Sequence, residues 1–413
     1  MKHSRTLFLA IGFLFMVASC KQDPSPTEPQ ANRFIKLFGN YGEDFAAEVH
    51  QTEDNGYILV GTVATHTFGK DIAVIKTDKF GNEEWSKVYG DTLDDFGNSI
   101  KLVGSDYIVA GTTTDTSLAT NIYLIKLDAK GNLLWEKTIG SNANEQGNDV
   151  IVTSDNGFAI IGSTTAEELI IGPGGNDSTK NALGIKDFYL VKTDQNGDIE
   201  WAENYGADKD EYGTKIIEKN DGGYVLLGSS ASFEEAQYKK TSILTIIVNQ
   251  NGSISGGFNS FGGSENDFGN DIEEVSDGFL ILGTSSSFSS NGTDIYLAKS
   301  NSTLTSIIWE SNIGSSGNEG GNSLYVNNKD SIIIVGYTDD PEVSAGNRDH
   351  YLIRASSNGV WDEAWSKTFG GSGEEITNSI EPTSDGGYIL LGTTEFGGVQ
   401  MINLTKLNSS AEL

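Results

Sequence analysis

Cysteine is all but absent. The chain of 413 residues has one, Cys20, so no disulfide can close within it. Histidine is nearly as scarce. The four are His3, His50, His66 and His350, and they fall at unrelated places, which with no cysteine to help leaves no zinc cluster. Cations are heavily outnumbered, with 27 Lys and Arg against 58 Asp and Glu and a net charge of −31. Nucleic-acid binding and anionic-membrane binding through a folded body both need a basic surface, so both are excluded. An exterior of that sign keeps the protein soluble and would attract cations or basic partners. There are only six prolines, and one long apolar run, Leu7–Ala18, which is too short to span a bilayer as a stable helix.

That run sits in an informative place. Lys2, His3 and Arg5 give a basic start, the apolar stretch has the length of a signal h-region, and Val17-Ala18-Ser19-Cys20 follows. The four residues resemble the lipobox of bacterial lipoproteins, in which small residues admit the signal peptidase and the cysteine sulfur receives a diacylglycerol. The expectation is a signal peptide over residues 1–19 and a lipid on Cys20, anchoring the chain through buried methylenes at about 0.8 kcal/mol each. Residues 20–32 read as a tether. Lys21 to Asn32 holds three of the six prolines and almost no apolar side chain. Lys21-Gln22-Asp23 resembles the charged signals that send some Bacteroidota lipoproteins to the cell surface. The expected location is the outer membrane, facing the periplasm or the exterior.

From Arg33 to Leu413 the sequence repeats itself. Gly39, Gly90, Gly140, Gly206, Gly262, Gly314 and Gly370 each follow a large apolar residue, at spacings of 51, 50, 66, 56, 52 and 56. An acid stands five residues after each: Asp44, Asp95, Glu145, Glu211, Asp267, Glu319 and Glu375. Three further on comes Asn in five repeats (Asn98, Asn148, Asn270, Asn322, Asn378), with Ala47 and Thr214 in the others. A period of this size marks a repeat architecture. Each repeat holds four short strand patterns. The first alternates polar and apolar, as in Asn98–Val103. The second is apolar on both faces (YILVG from Tyr57, FAIIG from Phe158). The third reads IAVIK from Ile72, HYLIR from His350 and INLTK from Ile402. The fourth carries Trp85, Trp135, Trp201, Trp309 or Trp365, with Phe258 expected in that role in the fourth repeat. Four antiparallel strands per ~50 residues make a β-propeller blade. The seventh repeat lacks its fourth strand, and Arg33–Gly39 aligns with Glu84–Gly90. The fold class is therefore all-β, a seven-bladed propeller whose N-terminal strand completes the last blade and removes its exposed edges.

Shared residues build a scaffold; function gathers where one repeat departs from the rest. The departures lie between the second and third strands of the third, fourth and sixth repeats. They place candidate binding residues at Asn176, Asp177, Lys180, Lys239, Lys240, Arg348 and His350, on the rim that also carries the seven acids. Those acids have two readings. They form an acidic ring at the mouth of the channel that takes a cation or a basic ligand, or each carboxylate accepts backbone N–H groups and fixes an inter-blade loop. Their presence in every repeat favours the second. No calcium-loop pattern is present, and Asp194-Gln195-Asn196-Gly197-Asp198 fits a hairpin turn better. No cofactor is expected, and a bound Ca2+ has no motif behind it. Gly172-Pro173-Gly174-Gly175-Asn176 lacks the Lys-Ser/Thr of a phosphate loop. Trp361 stands outside the tryptophan register and is placed near an exposed turn, where a sugar could stack.

Lys76–Trp85 and Lys126–Trp135, reading K-T/L-D-x-x-G-N-x-x-W, resemble the tryptophan motif of quinoprotein-type (PQQ-like) propellers. With Thr383–Thr393 the pattern also resembles repeat lipoproteins of Bacteroidota. The quinoprotein group includes quinone-dependent dehydrogenases and a non-enzymatic assembly lipoprotein of the outer membrane. Its enzymes hold their cofactor with a calcium site and stacked Trp or vicinal Cys, and this chain has no cysteine pair. The reading that results is a monomeric, lipid-anchored, non-catalytic module that binds a protein or glycan partner on one loop rim. The alternative is a quinoprotein-like or glycan-active enzyme with a site in the central funnel.

Overall fold

The computed structural model describes residues 33–413, apart from 40–41, 66–68, 142, 167–185, 221, 233–239, 290–291 and 328–330. Its 28 strands form seven four-stranded antiparallel sheets arranged as a seven-bladed β-propeller. In blades one to six the strands run from innermost to outermost in chain order. Blade one, for example, is Phe45–Gln51, Tyr57–Thr65, Gly69–Thr77 and Glu83–Tyr89. Blade seven is Glu375–Pro382, Tyr388–Phe396 and Val399–Leu407, and its outermost strand is Phe34–Phe38 from the other end of the chain. The register runs from Phe34 opposite Lys406 to Phe38 opposite Ile402. This closes the ring and pairs an edge that would otherwise template aggregation.

The core lies between blades. In the second strand of blade one, Ile58 and Val60 pack against Ile100, Tyr107 and Val109 of blade two. Tyr57 and Leu59, on the other face, pack against Ile389, Leu391, Ile402 and Leu404 of blade seven. Burial of such a side chain contributes about 1.5–3 kcal/mol, which is why the second strand is apolar on both faces. Outer strands need only one closing group. Trp85, Trp135 and Trp201 supply it, each lying against the first aromatic of the next blade's second strand, with ring centroids 6.2, 6.0 and 6.2 Å apart.

Two expectations about the aromatics are corrected. Phe258 does not stand where the tryptophans stand. The register places Gly257, at φ 76°, opposite Ile247, and Phe258 packs on the other face against the core between blades three and four. Trp361 is not a free platform. It is half-buried against the core between blades five and six, bridges to Ala355, and donates its indole N–H to Ser366 Oγ at 2.8 Å. The chain around it leaves blade six with an outer strand of only three residues, Lys367–Phe369.

Every innermost strand carries a bulge at the same place, on Ala47, Asn98, Asn148, Thr214, Asn270, Asn322 or Asn378. A bulge re-aims a side chain out of the ladder. Here it turns the asparagines toward the next blade. Nδ2 of Asn98, Asn148 and Asn270 each donates at 2.7 Å to the carbonyl of Gly147, Gly213 and Gly321, and that of Asn322 at 2.8 Å to the carbonyl of Thr377. The recurring Asn is therefore an inter-blade tie.

Candidate functional site

The seven repeat acids occupy the start of the innermost strands and are buried, none more than 2% exposed. They are not among the residues that line the central channel. Six of them fold back onto the loop that precedes them. Asp95 accepts the N–H of Asp91 at 2.9 Å, Glu145 that of Ser141 at 3.1 Å, and Glu211 that of Ala207 at 2.9 Å. Asp267, Glu319 and Glu375 accept from Gly263, Ser315 and Gly371 at 2.7, 2.9 and 3.0 Å. Asp44 accepts from Ala64 N, at 2.8 Å. The same carboxylates hold the hydroxyl that opens the loop between second and third strands, with Thr164 on Glu145 at 3.1 Å, Ser230 on Glu211 at 2.7 Å and Thr338 on Glu319 at 2.8 Å.

The glycine five residues earlier belongs to the same device. A Cβ on Gly140 would overlap the side chains of Asn121 and Glu145, and one on Gly206 those of Asp187 and Glu211. Burial pushes Asp95, Glu319 and Glu375 above the usual carboxylate range. Among the described residues no group of three or more His, Cys, Asp or Glu is arranged to hold a metal ion.

The acids and the long loops share one rim, as the pairing of Glu145 with Thr164 and of Glu319 with Thr338 requires. Of the candidate loop residues, Lys240 is exposed and pairs with Glu265 at 2.9 Å. The Arg348 guanidinium lies 4.5 Å over the Tyr337 ring and 3.9 Å from Glu374. His350 is not on a loop. It is the second residue of the third strand of blade six, 8% exposed, and faces blade seven. Asn176, Asp177, Lys180, Lys239, Cys20 and His66 lie outside the described residues. Asp194 accepts from Asn196 N at 2.8 Å and Asp198 N at 2.9 Å, which is the hairpin turn expected of that stretch.

The channel is charged, which the repeat pattern did not reveal, because the side chains at its two inward positions change in charge from blade to blade. Glu48, Asp149, Asp271, Glu273, Glu381, His50 and Lys215 line a cavity of about 380 Å³. Lys101 pairs with Glu48 and lies 3.4 Å from Asp149, and Lys215 lies 3.7 Å from both. The carboxylates also bind the backbone of the next blade. Glu48 accepts from Ile100 N at 2.8 Å, Asp271 from Leu324 N at 2.9 Å and Glu381 from Gln51 N at 2.9 Å. Inner edges left open by the ring are thus paired by side chains.

Burial alone would lower His50, but the Glu48 and Glu381 carboxylates outweigh it and hold it up, at about 9. Burial opposes the charge on Lys215 as well, and Asp149 and Glu48 override it upward. Glu273 has no such cation beside it. Burial, with Asp271 adding to it, raises Glu273 to about 7. These groups are engaged with one another and with backbone amides, and that is how a strut is built.

No family model matches the chain, and no curated relative matches it in sequence. Solved structures match it in shape. Chaetomium thermophilum Sqt1, bound to the N-terminus of ribosomal protein L10, is similar over 90% of this chain and 98% of that one, at 10% identity and a TM-score of 0.48. A Synechocystis apocarotenoid oxygenase mutant is similar over 92% and 94%, at 8% identity and a TM-score of 0.44. A Trypanosoma rangeli sialidase mutant is similar over 76% of this chain and 54% of that one, at 11% identity and a TM-score of 0.38. A binding protein and two enzymes stand side by side in that set, and at such identities the likeness concerns the fold and says nothing of activity.

Proposed function

We propose that the chain is a lipid-anchored binding module of the outer membrane, held through Cys20, whose loop rim takes a protein or glycan partner. A propeller fits a binding or scaffolding role, because a rigid frame presents many loops on one face. The observation that carries the reading is the direction of the first strand. Phe34 pairs at the end of the third strand of blade seven, by Lys406, and Phe38 at its beginning, by Ile402, next to the acid-bearing rim. A tether arriving at Phe34 therefore joins the propeller on the face opposite the loops, and the rim is left clear of the membrane. The buried acids support the same reading. They fix the bases of loops whose sequences differ most, so that variable side chains leave the frame at set positions.

Two measurements test it. Mass spectrometry of protein from membranes should find diacylglycerol on Cys20, and Cys20→Ala should release the chain from the membrane fraction. The soluble propeller should capture a partner that is lost when residues 167–185 are replaced by a short Gly/Ser link. A propeller that captures nothing from glycan arrays or envelope extracts, yet turns over a substrate, would overturn the proposal.

A further inference from the structure

One junction between blades departs from the other six. On the third strand, the residue that faces the preceding blade is Tyr123, Tyr189, Tyr296 or Tyr351 in blades two, three, five and six, and Ala73 or Leu244 in blades one and four. In blade seven it is Asn403. Two residues on, Ile75, Ile125, Val191, Ile246, Ala298 and Ile353 give way to Thr405. Across the junction, blade six offers His350 where the other blades offer Ile or Phe, and the innermost strand of blade seven has Thr377 where the others have Gly or Ala. The outer strand is changed in the opposite sense. Ile35 and Leu37 pair with Thr405 and Asn403, where Glu136 and Thr138, or Glu310 and Asn312, stand in blades two and five. Polar groups have moved inward and apolar groups outward.

The consequence is a cavity of about 450 Å³ between blades six and seven. Its floor is a buried polar network. His350 Nδ1 lies 2.9 Å from Thr377 Oγ1, and Nε2 lies 2.9 Å from Thr394 Oγ1. Asn403 Nδ2 donates to Thr394 at 2.8 Å, and Thr405 donates to Asn403 Oδ1 at 2.7 Å. Its walls are Ile35, Leu37, Phe369, Leu390 and Phe396. Ile35 is 50% exposed, Leu37 37% and Phe396 69%, which is a poor state for apolar groups that adjoin a cleft. Among the described residues no Lys or Arg lines the cavity, while Glu375 and Glu395 do.

We propose that this cavity is a binding site for a neutral aromatic molecule carrying one hydrogen-bonding group, whose ring takes the space that tyrosine fills in blades two, three, five and six. The size falls within the range of small-molecule sites, which are mostly apolar with a few placed polar groups. The ring lies against Leu37, Phe369 and Phe396. Its hydroxyl or amine reaches the Asn403 amide, beside the His350 imidazole, whose protonation burial suppresses, to about 4. Anions are disfavoured by the two glutamates and by the lack of any cation among the described lining residues. The cavity opens at the blade-seven edge of the rim, beside Glu375 and the Phe396 turn, and it is separate from the long loops of blades three, four and six, so it stands whether or not those loops bind a partner.

The test uses the propeller of residues 33–413, whose ring closes within those residues, and N-phenyl-1-naphthylamine, a neutral fluorescent aromatic amine. Its fluorescence should rise saturably to one equivalent. 4-Propylphenol should displace it, and 4-propylbenzoate at pH 8 should not. Asn403→Tyr should weaken the probe at least about tenfold by filling the space. If that variant fails to fold, Leu37→Asn decides, because it sits on a half-exposed outer strand and removes only the apolar wall. Absence of saturable binding to folded protein, equal binding by the two variants, displacement by the benzoate, or a dimer in solution that shuts the probe out would each overturn the proposal.

Discussion

The junction between blades four and five and the junction between blades six and seven are built from the same strands and do different things. At the first, Tyr296 is fully buried, stacks on Phe288 at 5.8 Å and donates its hydroxyl to Glu310 at 2.9 Å. Ala298 beside it joins Ile243 and Ile281 in a dry core. At the second, Asn403 and Thr405 stand in those places and His350 replaces the isoleucine, so the space is open and floored by hydrogen bonds. Where an aromatic closes a junction, the ring is scaffold. Where Asn403 and Thr405 replace it and the outer strand turns apolar, the same geometry becomes a receptacle.

Substitutions that exchange the two characters should have unequal effects. The largest belongs to Tyr296→Asn, which opens the closed junction. The lost ring and the cavity left behind should cost about 3–4 kcal/mol in urea unfolding, and the variant should not acquire the probe site, because its outer strand stays polar. Glu145→Ala should follow at roughly 2–4 kcal/mol. It removes the acceptor that holds the Ser141 loop and strands the buried hydroxyl of Thr164. A cost below about 1 kcal/mol would show that the repeat acids are not what ties the rim.

Proton linkage separates the junctions next. His350 is held neutral to about pH 4 by burial, against an unfolded value of 6.5. The unfolded chain therefore takes up the proton first, and stability falls as pH drops from about 6.5 toward 4, by at most about 3 kcal/mol. His350→Ile, which restores the residue of the other blades, should flatten that limb of the stability curve. In the channel the sign is opposite for His50. Held at about 9 by Glu48 and Glu381, it contributes fully below pH 6.5 and loses that contribution as pH rises through 9. Asn403→Tyr should be the mildest change, within about 1 kcal/mol and on the stabilising side if the ring is accepted. A large destabilisation would mean that the cavity is too narrow for a ring.

Much of the frame is legible in the chain because it is repeated. Gly140 and Glu145 recur in step because one carboxylate must fold over one glycine. Trp85 recurs because each blade needs a lid on the next. The strand count and the closing role of Phe34–Phe38 follow from the same register. The places where the reading failed are those where a single blade differs. Spacing alone gives Phe258 the tryptophan's role, and the shift that places Gly257 there is visible only in the pairing. His350 reads both as the first residue of HYLIR and as the end of a long loop, and the fold gives it the strand. Asn403 and Thr405 stood in plain view in INLTK, in a column otherwise filled by aromatic and aliphatic residues. Their polarity was the signal, and it was hidden by reading the strand for what it shared. The channel network of Glu48, Lys101, Asp149 and Lys215 left no such trace, since the residues at its two inward positions change sign from blade to blade and meet only in space.

A crystal structure of the propeller with N-phenyl-1-naphthylamine tests most directly whether one junction of the seven is built to bind. The expected result is density for one molecule between blades six and seven, its ring against Leu37 and its amine within hydrogen-bonding distance of Asn403. Density in the central channel or in another junction, or a cleft closed over with no molecule in it while binding persists in solution, would contradict it.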